Sequence, residues 1–374
     1  TLVDNAELSP HNLVRHALLS DSLGKNKAQA LKSSIDSIFS SDDTKNVVAV
    51  EDSALDILIG KKRELMNGHN WIVDCSASSM IMNALCMTET PVSPRICRSE
   101  ITDDGRIGLL SIEGPKRNPR IDDIQIILFS LSIENQSLSE WLKRNKAART
   151  TEIGSTLEDI NIGFSCSSET LKLHDDIVSM HSSSFANGFR NISQSSIIVN
   201  NGLVQIGLIN VDSPVKYVVQ DIPIPPLTFL TARNDPNWQI RMKYGLDSIM
   251  KKALMGSLPN ETGGLLIGLI NLNRKIVYIT DVLLAPTDSK CSPYAFVRGT
   301  QDVPQTVLEI QERTGGMLGY VGEWHTHPGG GPDLSDKDMA TVRKIKRNLD
   351  KIPLPTHIMI VTRKGVYPHI FDRS

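Results

Sequence analysis

The stretch GEWHTHPGGGPDLSDKD, residues 322 to 338, constrains this chain more than any other. Side chains in a strand alternate between faces, so His325 and His327 point the same way. Pro328, Gly329, Gly330, Gly331 and Pro332 follow, a turn that lets the chain double back. Ser335 and Asp338 then have the spacing of a helix-capping box. A helix starting near Ser335 brings Asp338 into range of the histidines. A strand, a tight turn and a helix start must therefore meet at one place, which calls for an α/β fold.

Two imidazoles with nearby tips suit a borderline-soft cation such as zinc. A catalytic zinc site usually has three protein ligands and keeps a further position for water. Asp338 is the natural third ligand. A general base should be a carboxylate near that water that does not bind the metal tightly. Glu261, Glu309 and Glu323 are available. Glu261 precedes the glycines of an apolar strand, so it could sit at a sheet end facing a cleft. Glu323 is two residues before His325 and could share the histidines' face. Alone, the histidine pair is more often a packing feature, the serine and aspartate a plain cap, and the glycines an ordinary loop. Their concentration in one window points to a site.

Patterning extends outward from this window. GGLLIGLI and KIVYITDVLLAP read as strands joined by a turn at Asn271 to Arg274. A helix is expected over about 238 to 255, carrying Ile240, Tyr244, Ile249, Ala253 and Leu254. Asp302 is expected to cap a helix with Pro304 in its first turn. MLGYVGEWHTH reads as a strand, 336 to 350 as a helix and 356 to 362 as a strand. Upstream, IPIPPLTFL carries three prolines, each lacking a backbone donor. A domain boundary is placed just after it, giving domains 1–230 and 231–374. In the first of these, residues 27 to 39 read as a helix, with Ala28, Leu31, Ile35 and Ile38 at helical spacings. WIVDCSAS (71 to 78) reads as a buried strand running into a small-residue turn. DDIQIILFSLSIE (122 to 134) reads as a core element. Residues 165 to 196 carry many serines, a composition of caps and turns as much as of disorder.

Composition excludes some functions. The formal net charge is −2, so no basic field argues for nucleic acid. No apolar run reaches the ~18 residues of a membrane span. The five cysteines are an odd number with no CxxC pair. With no secretory signal, they read as reduced thiols in a cytoplasmic compartment. The chain opens at Thr1-Leu2-Val3-Asp4, which reads as the end of a strand. The expectation is a fragment whose upstream part is removed.

HTHPGGGPDLSDKD resembles the JAMM motif of JAB/MPN metalloproteases: His-(Ser/Thr)-His-Pro with a serine and an aspartate at fixed distances. Seven residues separate His327 from Ser335 and two separate Ser335 from Asp338, as the motif requires. PNETGGLLIG resembles the upstream glutamate segment of the same family, which favours Glu261 as the base. The resemblance covers about 235 to 374. It implies an α/β domain with a curved central sheet flanked by helices, and Zn2+ held by His325, His327 and Asp338. Glu261 would accept a proton from the attacking water, and Ser335 would help hold the tetrahedral oxyanion. Such proteins cut isopeptide or peptide bonds after ubiquitin-like proteins.

LVDNAELSPHNLVRHALLSDSLGKNKAQAL (2 to 31) resembles the ThiF/MoeB and ubiquitin-activating enzyme family. A partial Rossmann-like domain is implied. Asp4 falls at the position that holds the ATP ribose, and Arg15 and Lys27 at positions that contact phosphates. Cations there would stabilise the charge that adenylation builds. Two departures weaken the likeness. The glycine-rich loop and first strand, which should precede Leu2, do not appear, so ATP and Mg2+ are expected only if that part is present. Ala77, in DCSAS, stands where many members have an acidic residue for magnesium. CSSETLKLHDDIVSMH (166 to 181) faintly resembles the segment after the catalytic cysteine of activating enzymes, which makes Cys166 the candidate thioester nucleophile. Cys75, Cys86 and Cys97 have weaker context. The partners implied are a ubiquitin-like modifier and a conjugating-enzyme-like protein, with a homodimer left open.

Overall fold

The computed structural model describes residues 1–39, 47–60, 63–87, 94–151, 173–194, 200–210, 216–348 and 354–372. The chain divides into two compact units, one of residues 1–124 and 156–224, the other of residues 125–155 and 225–374. Among the described residues no helix is long and apolar enough to cross a membrane.

In the first unit, β1 (Leu2–Val3) and β2 (Ala49–Val50) pair in parallel, with α1 (Lys27–Ile38) between them in sequence. Asn26 caps α1, its side chain accepting from Gln29 N. That helix buries Ala28 and Ala30, and Ala30 packs with Leu8 and Leu18. After α2 (Ala54–Ile59) come β3 (Trp71–Asp74), α3 (Ser79–Met87), β4 (Arg95–Thr102), β5 (Ile107–Ile112), the start of α4 (Ile121–Leu131), and then α6 (Asp175–Gln194), β6 (Gly202–Asn210) and β7 (Lys216–Ile224), while the rest of α4 and α5 (Gln136–Thr151) belong to the second unit. The five strands β3 to β7 form one sheet in sequence order. Only its β3–β4 pair is parallel; the others are antiparallel. β5 is buried along its whole length, and Phe185 and Ile192 of α6 pack with Cys97, Leu110 and Ile112.

WIVD was expected to be a buried strand, but Val73 is 51% exposed. The reason is position: β3 is an edge strand, so it lacks a neighbour on one side. DDIQIILFSLSIE is the core element expected, forming α4 with Ile124, Leu128 and Phe129 buried.

The second unit holds β8 (Thr228–Thr231), β9 (Gln239–Met242), α7 (Leu246–Ser257), β10 (Gly263–Asn271), β11 (Ile276–Leu283), β12 (Lys290–Ser292), β13 (Ala295–Val297), α8 (Val303–Arg313), β14 (Gly319–Thr326), α9 (Asp336–Asn348), β15 (Thr356–Val361) and β16 (Val366–Phe371). Seven of these strands form one sheet in the order β16-β15-β14-β10-β11-β9-β8. β10 runs through its middle, antiparallel to β14 and β11. Trp238, Ile240, Met250, Leu266, Val277, Trp324 and Met359 build the core against it.

Two sequence expectations fail here. The helix placed at 238 to 255 is a strand followed by a helix. Ile240 and Met242 point into the core of β9, which pairs with β11 and β8. Gly245 then adopts φ +86, a left-handed conformation that glycine takes at no steric cost, and α7 starts after it. The sheet ladder overrides the helical spacing. Asp302 does sit at the N-cap of α8, but its side chain makes no cap bond. Its φ of +60 departs from the extended conformation that aims a capping carboxylate at the first turn.

Candidate metal centre

β14 carries the two histidines into the site. Register sets Gly263 of β10 opposite His325. Thr262 O accepts from Thr326 N, and Thr262 N donates to Thr326 Oγ1, both at 2.8 Å. The segment before β10 therefore runs beside His325 to His327 and brings Glu261 to them. Gly263 has to be glycine: a Cβ there would lie 2.3 Å from Trp324 O and 2.6 Å from the Phe296 ring. The β12–β13 hairpin closes this side, with Ser292 O accepting from Glu261 N at 2.8 Å.

Asp338 enters from the first turn of α9. Its Oδ1 lies 2.9 Å from His325 Nε2 and its Oδ2 lies 3.4 Å from His327 Nε2. The two Nε2 atoms are 3.1 Å apart. These three side chains can all hold a metal ion together, their ligand atoms lying within 4.8 Å of one another. Their exposures of 14%, 11% and 14% leave the cluster shielded yet reachable. His327 Nδ1 is 3.0 Å from Gly331 O. A carbonyl only accepts, so Nδ1 carries the proton and Nε2 offers its lone pair to the cluster. Two imidazole nitrogens and a carboxylate oxygen, with one ring already fixed in tautomer, are a donor set that fits zinc.

Ser335 and Asp338 cap the helix reciprocally. Ser335 N and Oγ both donate to Asp338 Oδ2 at 2.7 Å, and Asp338 N donates to Ser335 Oγ at 3.2 Å. Burial raises the Asp338 pKa, but hydrogen bonds from His325 and His327 outweigh it and hold the carboxyl well below the usual range. Glu261 behaves oppositely. Burial lifts its pKa above the usual carboxylate value, with His327 and His325 pulling the other way. His325, His327 and Asp338 all act on Glu261 electrostatically, which ties it to the cluster.

Glu323 is engaged elsewhere, accepting from Arg298 Nη2 at 3.1 Å. Glu309 is exposed on α8. Sequence reading missed Arg298 and the Gly331 carbonyl. Arg298 reaches Glu323 from 25 residues away, while the Gly331 carbonyl is four residues from His327 and meets its ring through the way the turn folds back.

The residues expected from the ThiF/MoeB resemblance to contact nucleotide lie in the first unit. Asp4 follows β1 and accepts from Ala6 N at 2.8 Å, while Asn26 Nδ2 donates to its carbonyl at 2.9 Å. Lys27 opens α1 and is buried. Both act electrostatically on His16. The side chain of Arg15 and the whole of Cys166 lie outside the described residues. Cys86 and Cys97 are buried, and burial pushes the Cys97 thiol far up; Cys75 is exposed.

Residues 243–370 match the family model of prokaryotic homologs of the JAB domain. A curated relative, the CD-NTase/cGAS isopeptidase of Enterobacter hormaechei subsp. hoffmannii (strain UCI 50), is 38% identical over 91 residues. That alignment takes in 24% of this chain and 49% of the relative, so the chain spans about half the length of the curated protein it matches. Together they support a JAB/MPN domain at the C-terminus. The solution structure of protein DSY2949 from Desulfitobacterium hafniense is also similar, at 19% identity and a TM-score of 0.24, covering 35% of this chain and 89% of that one.

Proposed function

We propose that the chain is a zinc-dependent isopeptidase or peptidase of the JAB type, acting on conjugates or precursors of a ubiquitin-like protein. The observation that carries this reading is the convergence of His325 Nε2, His327 Nε2 and the Asp338 carboxylate, with Glu261 beside them. The JAB match and the isopeptidase-named relative favour the same chemistry. Zinc, when bound there by the three side chains, supplies Lewis acidity toward a scissile carbonyl and acidifies water. The protein's own part is proton transfer and orientation. A carboxyl with a raised pKa suits Glu261 to accept a proton from the attacking water and return it to the leaving amine. Ser335, at the start of α9, holds Asp338 in place through its N–H and its hydroxyl; the hydroxyl serves the oxyanion by turning its one proton from Asp338, which the Ser335 N–H still holds.

The domain reading is 231–374 as this JAB/MPN domain and 1–230 as a ThiF-like domain. In support of the second, β1, α1 and β2 form a parallel strand–helix–strand unit, with Asp4 just past β1 and Lys27 at the start of α1. The same unit favours a rival reading, an activating enzyme with an accessory JAB domain. ATP–pyrophosphate exchange separates the two.

The main test is elemental analysis alongside cleavage of a ubiquitin-like fusion. One zinc per chain is expected, falling in His325→Ala and His327→Ala together with cleavage. Unchanged zinc in both variants overturns the metal assignment.

A further inference from the structure

The Gly329–Pro332 turn presents the carbonyl that fixes His327, and of its glycines Gly330 alone has a side chain near it, a Cβ there lying 3.2 Å from His327 Cβ. A Cβ added at Gly329 or Gly331 would meet nothing within 4 Å. The turn is therefore held in place by hydrogen bonds. Two of them come from the far edge of the sheet. His369 of β16, only 5% exposed, has its Nε2 2.9 Å from Pro332 O. Again a carbonyl can only accept, so this nitrogen donates. Arg233 Nη2 donates to Asp333 Oδ1 at 3.0 Å, and Arg233 N donates to Pro368 O at 2.9 Å, anchoring the arginine to the same strand.

We propose that His369 is a positioning residue of the metal centre. Its N–H on Pro332 O steadies the turn, so that the adjacent Gly331 carbonyl keeps His327 in the tautomer that leaves Nε2 free for a cation. Arg233, through Asp333, is the weaker second tether, because that pair is exposed to solvent. The inference rests on the metal reading above but concerns a residue outside the ligand set.

Two variants and one control test it. His369→Phe removes the donor while keeping a ring of similar size; His369→Gln restores an N–H. Val366→Ala, a core truncation on the same strand, controls for general loosening of β16. Zinc affinity of the apo proteins is measured by competition with a chromogenic chelator, and the visible spectrum of the cobalt(II) forms reports ligand geometry. His369→Phe is expected to bind zinc up to ~10-fold more weakly, the low end of the range for losing a direct outer partner of a metal-ligating histidine, because the Gly331 carbonyl stands between the two. It should also shift the cobalt bands, and His369→Gln should recover most of the affinity. Wild-type affinity in His369→Phe, or an equal loss in Val366→Ala, overturns the proposal.

Nitrogen-15 NMR of the metal-free protein reads the tether directly. The Nδ1-protonated form of His327 should dominate in wild type and lose its dominance in His369→Phe. A wild-type chain that takes up no zinc overturns the metal reading alone. An unchanged His327 tautomer in His369→Phe overturns the tether.

Discussion

Each sheet of this protein gathers ionisable groups at or beside its strands, and the two arrangements differ in what they leave over. In the five-stranded sheet Arg98 is 4% exposed and lies between Asp74 and Glu100, with Glu100 Oε2 at 3.1 Å. Nearby, Glu113 accepts from Arg117 Nε at 2.8 Å and Nη2 at 3.0 Å, and from the Ile96 and Ile121 amides at 3.1 and 3.0 Å. Burial pushes the carboxyls of Glu100 and Glu113 up, and their arginines pull them back. Each charge meets its opposite, and such pairs stabilise a fold only to the extent that every polar atom is satisfied. In the seven-stranded sheet His325, His327 and Asp338 gather three groups whose lone pairs converge. Glu261 lies beside them with an elevated pKa. Closed pairs make architecture, while convergent donors with an unspent carboxylate make a site.

The largest expected effect breaks a closed pair. Arg98→Met strands Asp74 and Glu100 in a dry environment without their cation. It should cost ~3–5 kcal/mol of stability, the usual range for removing one partner of a buried ion pair. Urea unfolding measures this, and zinc content measured alongside should stay at the wild-type value. A variant that loses zinc in proportion to stability would erase the distinction drawn between the two sheets.

The next effect is on the site. Glu261→Gln keeps size and polarity but removes the basic carboxylate. Fold and zinc content should be retained while cleavage falls at least ~100-fold, the low end of general acid–base contributions. Glu323→Gln should do much less, since Glu323 is already paired with Arg298. Steady-state cleavage by purified variants decides it. A dead Glu323→Gln beside an active Glu261→Gln would reverse the two roles.

How far the site was legible follows from the range of each interaction. The alternation of His325 and His327 is a local property of a strand, and Asp338 three residues past a capping serine is a local property of a helix start. Both could be read directly. The choice between Glu261 and Glu323 depends on the register of β10 against β14 and on Arg298, 25 residues from Glu323, and neither is encoded nearby. Residue spacing alone left that choice open, and only the family resemblance favoured Glu261. The same limit explains the misread segment at 238 to 255. Ile240 fits a helical stripe and an alternating strand equally well, and pairing with β11 and β8 made the choice. His369 offered no signal at all, because its partner is a backbone carbonyl 37 residues away.

The smallest expected effect on the fold compares one device used in both units. Asn26 caps α1 by accepting from Gln29 N at 3.1 Å, and Ser335 caps α9 by accepting from Asp338 N at 3.2 Å. Replacing either residue by alanine should cost ~1 kcal/mol of stability, the typical value of an N-cap. The consequences should diverge beyond that. Ser335 Oγ also donates to Asp338 Oδ2 at 2.7 Å, so its loss removes a hydrogen bond from the carboxylate proposed as the third metal ligand. Cleavage by Ser335→Ala should therefore fall by roughly 10- to 100-fold, as when other outer partners of metal ligands are lost. Asn26→Ala should cleave at the wild-type rate. Thermal unfolding of both variants, with cleavage assayed well below their midpoints, separates the two contributions. Equal cleavage by the two variants would mean that Ser335 serves the helix alone, and the oxyanion role assigned to its hydroxyl would have to pass to another donor.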